Sequence, residues 1–390
     1  MEENTDVHTL VEGTQTCLCV DRIGDPSLPR GLHGGARARS DDESHRGCCS
    51  RRLRGHGGRD REQDPLRVVE PFYHQRSPGQ RRWRNELADY RNGSKSDDAL
   101  HVWSITKSVV SALIGIAIDE KIISGLDATL PELLPRYQKY LRAEEKPITL
   151  RQLMSMTAGF PPDDPAPWAN IHSVFEQRSD PIPMILKDGL DRPPQHAFVY
   201  SSRSAHLVSA VLRDALVRAN PDHPRTVLEY AREKLFDPLE IDSSGAREER
   251  ILLSDPAYDR LRSFDWGTDA AGLHSGCCLL RLRPADMLKL GELYLGGGIW
   301  HGKRILPAEW VDQTMKPNEL SSQYGLMWWL DIDQHGHPAW VGRGFAGQLI
   351  AVVPEHRLVV AIGSVPSNDM ALDGTDMWLW INDAIAPALA

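Results

Sequence analysis

Ser104 and Lys107 stand three residues apart near the head of HVWSITKSVVSALIGIAIDEK, His101 to Lys121. A serine hydroxyl is a poor nucleophile until a neighbouring base takes its proton. A lysine desolvated by apolar surroundings has a lowered pKa and can be that base, which is the serine–lysine form of nucleophilic catalysis. If a helix begins at the serine, both side chains lie on one face a turn apart, and the amine can touch the hydroxyl. The Ser104 N–H then has no intrahelical acceptor and sits at the positive end of the helix dipole, where an oxyanion can use it. By chance a chain of this length holds about one S-x-x-K, so the motif takes its meaning from the helix that carries it.

That helix must be buried. From Val109 to Ile118 nearly every residue is apolar, with no polar face, the pattern of a core helix. It is too short, with charges at both ends, to span a bilayer. ITLRQLMSMTAGF reads as a second helix, with Thr149 as N-cap, Gln152 at the capping-box position and Gly159 as the stop. FVYSSRSAHLVSAVLRDAL passes from a short strand-like run into a helix, so Tyr200 and Ser202 fall at an element boundary where side chains can point into a cleft. Further helices are read in LEYAREKLFDPLEI, DMLKLGELYLGGG and PAEWVDQTM. The last third turns to strands: YGLMWWLDID and AWVGRGFAGQLIAVVPEHRLVVAIGS give three apolar runs of an antiparallel meander, split by His335-Gly336 and Pro354-Glu355. DMWLWINDAIAPAL is expected to close the chain as a helix on that sheet. The fold class is therefore α+β, an antiparallel sheet flanked by helices with a helical lobe.

Residues 1–85 read differently. GLHGGARARSDDESHRGCCSRRLRGHGGRDREQDP is dense in Arg, Gly and Ser and has no period of 2 or 3.6, so this segment is expected to be low-complexity and disordered, a solvated tail ahead of a domain at 86–390. Only LRVVEPFY, Leu66 to Tyr73, can make a strand, and Pro71 confines it to an edge or breaks it.

The 390 residues are 41% apolar, enough for one large domain or two packed lobes, and the net charge of -9 argues against general nucleic-acid binding. No apolar run follows the acidic MEENTDVHTL, so no secretory signal is visible and a cytoplasmic location is expected, with no membrane partner. The six cysteines show no C-x-x-C spacing and read as thiols; Cys277 and Cys278 read as small buried residues. His335 and His337 lie two apart in a hairpin-like turn, but no carboxylate or cysteine cluster completes a site, so no metal is expected. No G-x-G-x-x-G or G-x-x-x-x-G-K motif argues for a nucleotide, and no cofactor is expected.

Several stretches together resemble one family. HVWSITKSVVSALIGIAIDEKII, ITLRQLMSMTAGF, FVYSSRSAHLVSAVL, EKLFDPLEI, PADMLKLGELYLGGGIWHGKRILPAEWV and RGFAGQLIAVVPE occur in the order found in the serine β-lactamase-related hydrolases. These include class C β-lactamases, D-alanyl-D-alanine carboxypeptidases, family VIII-type esterases and 6-aminohexanoate-dimer hydrolases. The resemblance runs from about Asp89 to the carboxyl end, and the G-x-x-G-Q ending at Gln348 makes the 6-aminohexanoate-dimer hydrolase type look closest. It implies a β-lactamase/transpeptidase-like fold, with Ser104 as acyl-forming nucleophile, Lys107 as proton acceptor and Tyr200 sharing proton transfer. Where class C enzymes have asparagine, this chain has Ser202, whose hydroxyl can still donate to a substrate carbonyl. Where they carry K-T-G, the corresponding WVGRGFAGQ has no lysine. The resemblance implies that this strand edge supplies the second oxyanion N–H, assigned to Phe345 within Arg343, Gly344, Ala346 and Gly347. Arg343 is either a substrate-carboxylate anchor or a surface arginine in a tight turn.

Family members place a two-strand hairpin before the S-x-x-K helix, and no such hairpin is evident here. Either LRVVEPFY and its neighbours form a degraded version, or the coding frame upstream of about Leu87 is not the ancestral one. The expected function is a serine hydrolase that cleaves an ester or amide of a small molecule through an acyl-enzyme on Ser104. The alternative is a catalytically impaired member that binds a ligand or partner. Oligomeric state is not legible in the sequence.

Overall fold

A helix apolar on every side forms only where packed elements surround it, and the computed structural model puts one at α1 (Ile105–Asp119), in which every residue from Ile105 to Ala117 is buried. The structure describes residues 67–76, 83–88, 90, 94–163, 174–175, 177, 179–247, 250, 255–333 and 336–365. The polar side chains on α1 are met by its neighbours: Ser108 Oγ donates to the Met327 carbonyl at 2.9 Å and Ser111 Oγ to the Leu326 carbonyl at 2.8 Å. Such pairing removes most of the cost of burying a hydroxyl. Gly115 lets α1 approach closely, since a Cβ there would lie 2.4 Å from the Trp310 ring.

One side of this arrangement is a six-stranded antiparallel sheet. Its strands are β1 (Arg67–Arg76), β2 (Trp83–Leu87), β8 (Trp329–Ile332), β9 (Pro338–Gly344), β10 (Gln348–Val353) and β11 (Leu358–Val365), in the order β2-β1-β11-β10-β9-β8. Between them come a three-stranded sheet ordered β3-β5-β4, from β3 (Leu100–His101), β4 (Asp265–Trp266) and β5 (Leu280–Leu282), and a β6–β7 hairpin (Ile299–Trp300, Lys303–Arg304). The helices that matter most for the site are α2 (Leu150–Met154), α3 (Ser202–Ala219), α4 (Pro284–Leu295) and α5 (Ala308–Thr314). The α+β class read from the sequence is the one observed.

Several expectations need correction. LRVVEPFY is neither broken nor at an edge: β1 lies between β2 and β11, and β2 is the edge strand. The β1–β11 register shifts between Val69 and Phe72, so Pro71, which has no N–H to give, falls where the ladder is interrupted anyway. The hairpin that seemed to be missing is therefore present, and the sheet takes in backbone from Arg67 onward. The run AWVGRGFAGQLIAVV is two strands rather than one, divided at the 3-10 turn Phe345–Gly347, where Ala346 has φ +61° and ψ +32°. α2 has the expected capping box, Thr149 with Gln152, but ends at Met154 instead of running to Gly159, because Met156 turns into the left-handed region at φ +61°. The segment before α3 is extended but unpaired as a strand; Val199 N–H donates to the Met156 carbonyl at 2.8 Å instead. The expected carboxyl-terminal helix and the segment before Arg67 lie outside the described residues.

Candidate active site

Ser104 is the N-cap of α1, with its side chain half-buried at the helix mouth. Among the described residues no backbone carbonyl takes its N–H. The residue before it, Trp103, is held at φ +48°, a conformation that costs a non-glycine residue roughly 1–2 kcal/mol. Its ring is fixed by stacking on His101 at 4.0 Å and by an edge contact with Phe345 at 5.2 Å. His101 in turn accepts the Leu279 N–H at 3.0 Å. Burial, helped by the Arg281 charge, keeps the His101 pKa well below the usual histidine range, so the ring is neutral.

Lys107, one turn into α1, is almost completely buried. Its Nζ donates to Ser104 Oγ at 2.9 Å, to Ser202 Oγ at 3.2 Å and to the Cys277 carbonyl at 3.2 Å. It also sits 4.7 Å from the centre of the Tyr200 ring. Ser104, Lys107, Tyr200 and Ser202 thus meet around one ammonium. The expectation that burial would leave this lysine neutral is not met. Burial pushes its pKa down, but the charges of Tyr200, Cys277 and Asp163 push it up by more, and the net direction is upward.

Asp163 escaped the sequence reading, whereas Cys277 is the small buried residue that was expected. Asp163 accepts the Ser202 N–H at 2.8 Å and its Oγ–H at 2.7 Å, so it both caps α3 and orients the hydroxyl. Cys277 is fully buried beside Cys278, Sγ to Sγ 2.9 Å. Burial raises the Cys277 pKa, but the bond from Cys278 and the Lys107 charge bring it down to about 6. No local pattern marks Asp163, which lies in a Pro- and Asp-rich loop 39 positions before its partner.

The opposite wall is the end of β9. Gly344 pairs with Gln348 across the turn, and a Cβ at Gly344 would lie 2.4 Å from the Val102 carbonyl oxygen. Only glycine lets the strand end approach the mouth of α1 so closely, and this closeness brings Phe345 against Trp103. Gln348 anchors the turn: its Nε2 donates to the Ser364 carbonyl at 2.7 Å and to Ser364 Oγ at 2.9 Å, while its Oε1 accepts the Ser364 N–H at 3.1 Å. Ser364 Oγ also donates to the Ala346 carbonyl. Ala346 and Gly347 are buried. Arg343 forms an ion pair with Asp331 and lies 5.1 Å from the Trp329 ring centre.

Aromatic rings line the side next to Tyr200: Trp329 stacks on it at 5.3 Å, and Tyr324 meets it edge-on at 5.9 Å, with Phe198 touching both. The expectation that no carboxylate accompanies His337 fails as well. Asp333 and His356 gather around it at the far end of the sheet, whereas His335 lies outside the described residues.

Among the described residues, no helix is long and apolar enough to cross a membrane. A family model described as Beta-lactamase matches residues 79–370. Among solved structures, a D-stereospecific amidohydrolase from Streptomyces sp. is similar, with 18% identity over 82% of this chain and 95% of its own, and a TM-score of 0.56. A Bacillus anthracis protein assigned as a 6-aminohexanoate-dimer hydrolase has 18% identity over 83% and 80%, with a TM-score of 0.58. A family VIII carboxylesterase has 16% identity over 75% and 84%, with a TM-score of 0.53. At these identities the likeness is one of fold. No curated protein matches the chain.

Proposed function

Because the chain belongs to the Beta-lactamase family, whose members are serine hydrolases acting on esters and amides, we propose that Ser104 attacks the carbonyl of a small ester or amide and carries the acyl group. The observation behind this reading is the buried Lys107 Nζ, 2.9 Å from Ser104 Oγ and 3.2 Å from Ser202 Oγ. As Ser104 Oγ bonds to the carbonyl carbon, its proton passes to Lys107 in the fraction of molecules whose amine is neutral, with the Tyr200 phenol beside it sharing the transfer. The Ser104 and Phe345 N–H groups receive the oxyanion. The same pair returns the proton to the departing alcohol or amine, and water then releases the acid by the reverse sequence. Ser202 gives its one hydroxyl proton to Asp163 and accepts from Lys107 Nζ, so it orients the lysine rather than donating to the substrate.

Substrate class follows from the walls. Arg343 has its charge met by Asp331, so it is a poor anchor for a substrate carboxylate. The rings of Phe198, Tyr200, Tyr324 and Trp329 offer an apolar face. Neutral acyl groups are therefore favoured over anionic ones. The reading of an impaired, ligand-binding member rested partly on absent strands, and those strands are present.

Pre-steady-state hydrolysis of a chromogenic short-chain ester tests this. The wild-type chain is expected to release a burst of alcohol equal to the enzyme and to be labelled at Ser104 by a fluorophosphonate, both lost in Ser104→Ala. Unchanged turnover in that variant would refute the assignment. A neutral butyryl ester is expected to outpace the matching succinyl half-ester, and the reverse order would refute the role given to Arg343.

A further inference from the structure

Two turns close the end of the large sheet away from Ser104. One joins β8 to β9 and contains Asp333 and His337; the other joins β10 to β11 and contains His356. Their side chains converge on one atom. His337 Nδ1 lies 2.9 Å and His356 Nε2 3.0 Å from the same oxygen, Asp333 Oδ2. A carboxylate can only accept, so both imidazoles donate to it. The other carboxylate oxygen, Oδ1, accepts the His337 backbone N–H at 2.9 Å, which fixes the plane of the group. Asp333 is 1% exposed, while His337 and His356 are 35% and 15% exposed.

We propose that Asp333, His337 and His356 bind a divalent transition-metal ion of the zinc class, in a structural site separate from the hydrolytic one. Three ligand atoms of the right kinds, two imidazole nitrogens and one carboxylate oxygen, all lie within 4.8 Å of one another. Zinc ligands at about 2.0–2.2 Å from the ion stand roughly 3.4 Å apart in a tetrahedron. The two histidine–Asp333 separations of 2.9 and 3.0 Å are close to this, and the two imidazoles, within 4.8 Å of each other, would draw together by at most about 1.4 Å on binding. On binding, each imidazole moves its proton to its other ring nitrogen and turns the lone pair to the ion, so no oxidant or further proton acceptor is needed. The buried carboxylate then faces a cation. The open side of the two histidines leaves room for water as fourth ligand.

The scaffold is rigid where a metal site needs it to be. Asp333 N–H donates to the His337 carbonyl at 2.8 Å and Gly336 N–H to the Asp333 carbonyl at 3.0 Å, while Arg357 N–H donates to the Pro354 carbonyl at 3.0 Å across the second turn. β9 has seven residues and so spans roughly 20 Å between this end and the Phe345 turn. The ion would pin the β8–β9 hairpin to the β10–β11 turn and take no part in acyl transfer.

Titration of the metal-free full chain with Co2+, followed by optical absorption, tests the proposal alongside thermal unfolding with and without Zn2+. The wild-type chain is expected to bind one equivalent of Co2+ more than Asp333→Asn or His356→Gln. That equivalent should give visible ligand-field bands without the near-ultraviolet thiolate-to-cobalt absorption that cysteine ligands produce. Zn2+ should raise the unfolding temperature of the wild type, with the rise lost in both variants. His356→Gln keeps a hydrogen-bond donor towards Asp333, and circular dichroism together with retained ester hydrolysis establishes that it folds. Equal Co2+ binding by wild type and variants, a thiolate band for the bound equivalent, or no binding by the wild type at excess Co2+ would overturn the proposal and leave the cluster as a hydrogen-bonded clamp. Because the readout is metal uptake and unfolding, the result is independent of whether Ser104 is the nucleophile.

Discussion

Substituting Gly344 by alanine gives a sharp test of how the proposed oxyanion wall is built. The added Cβ would lie 2.4 Å from the Val102 carbonyl oxygen and 2.7 Å from Gln348 Cβ. Ordinary contacts begin near 3.4 Å, so the strand end must retreat by about 1 Å from the mouth of α1, and the Phe345 N–H must go with it. A misplacement of that size costs on the order of 100-fold in rate, and loss of one oxyanion donor costs about 100- to 1,000-fold. kcat/KM for a neutral ester is therefore expected to fall about 100-fold, near 2.7 kcal/mol of transition-state stabilisation, mostly in kcat. Overpacking should lower stability by only about 1–3 kcal/mol. The measurements are steady-state kinetics, the rate of fluorophosphonate labelling, and thermal unfolding to establish that the variant is folded. A folded Gly344→Ala protein with kcat/KM within about threefold of wild type would refute the idea that the close approach of β9 positions a donor.

Asp163→Asn removes a negative charge that raises the Lys107 pKa and loosens the Ser202 hydroxyl; the pH–rate limb controlled by Lys107 should move to lower pH and kcat should drop about tenfold or more, both readable from a pH profile. Gln348→Ala strips three bonds to Ser364, so kcat should fall with KM nearly unchanged and stability should drop by about 2 kcal/mol or more, read by kinetics and denaturant unfolding. His274, buried and helped by the Arg232 charge, has its pKa lowered to about 4 from 6.5. The native state refuses a proton that the unfolded chain accepts, so stability is full above about pH 6.5 and falls as pH drops towards 4, by up to about 3 kcal/mol. Unfolding temperatures at pH 7 and pH 4.5 measure this, and His274→Leu should flatten the dependence.

Local chemistry was legible in the chain and long-range chemistry was not. Ser104 and Lys107 could be paired from their spacing because three residues on a helix always bring side chains together. Tyr200 and Ser202 stood out because a helix start follows them. Asp163 could not be foreseen, since nothing local links a proline-rich loop to a helix N-terminus 39 positions on. The charge state of Lys107 was misread for the same reason: burial is visible in a local apolar run, but the opposing charges of Asp163, Tyr200 and Cys277 come from elsewhere. β1 was underrated because Pro71 weighs against a strand until a bulge is allowed for. The break at Phe345–Gly347 was hidden because an apolar sequence with several glycines reads equally well as one long strand. His337 lacked visible partners because one stands across a turn and the other across the sheet.

The position of β1 inside the sheet also bears on how the protein is made. His74 pairs with Val359, about 285 positions along the chain, a contact order that makes for slow closure. During synthesis the strand that β11 needs emerges early and must wait, with only β2 beside it and its other edge open, until almost all of the chain has left the ribosome. Until then the apolar β11 and its neighbours have no complete sheet to join. A fragment that starts at residue 86 would leave the LVVAIGSV edge of β11 permanently open to other chains. Such a fragment would be expected to accumulate in inclusion bodies, even though every residue assigned to the active site is still present.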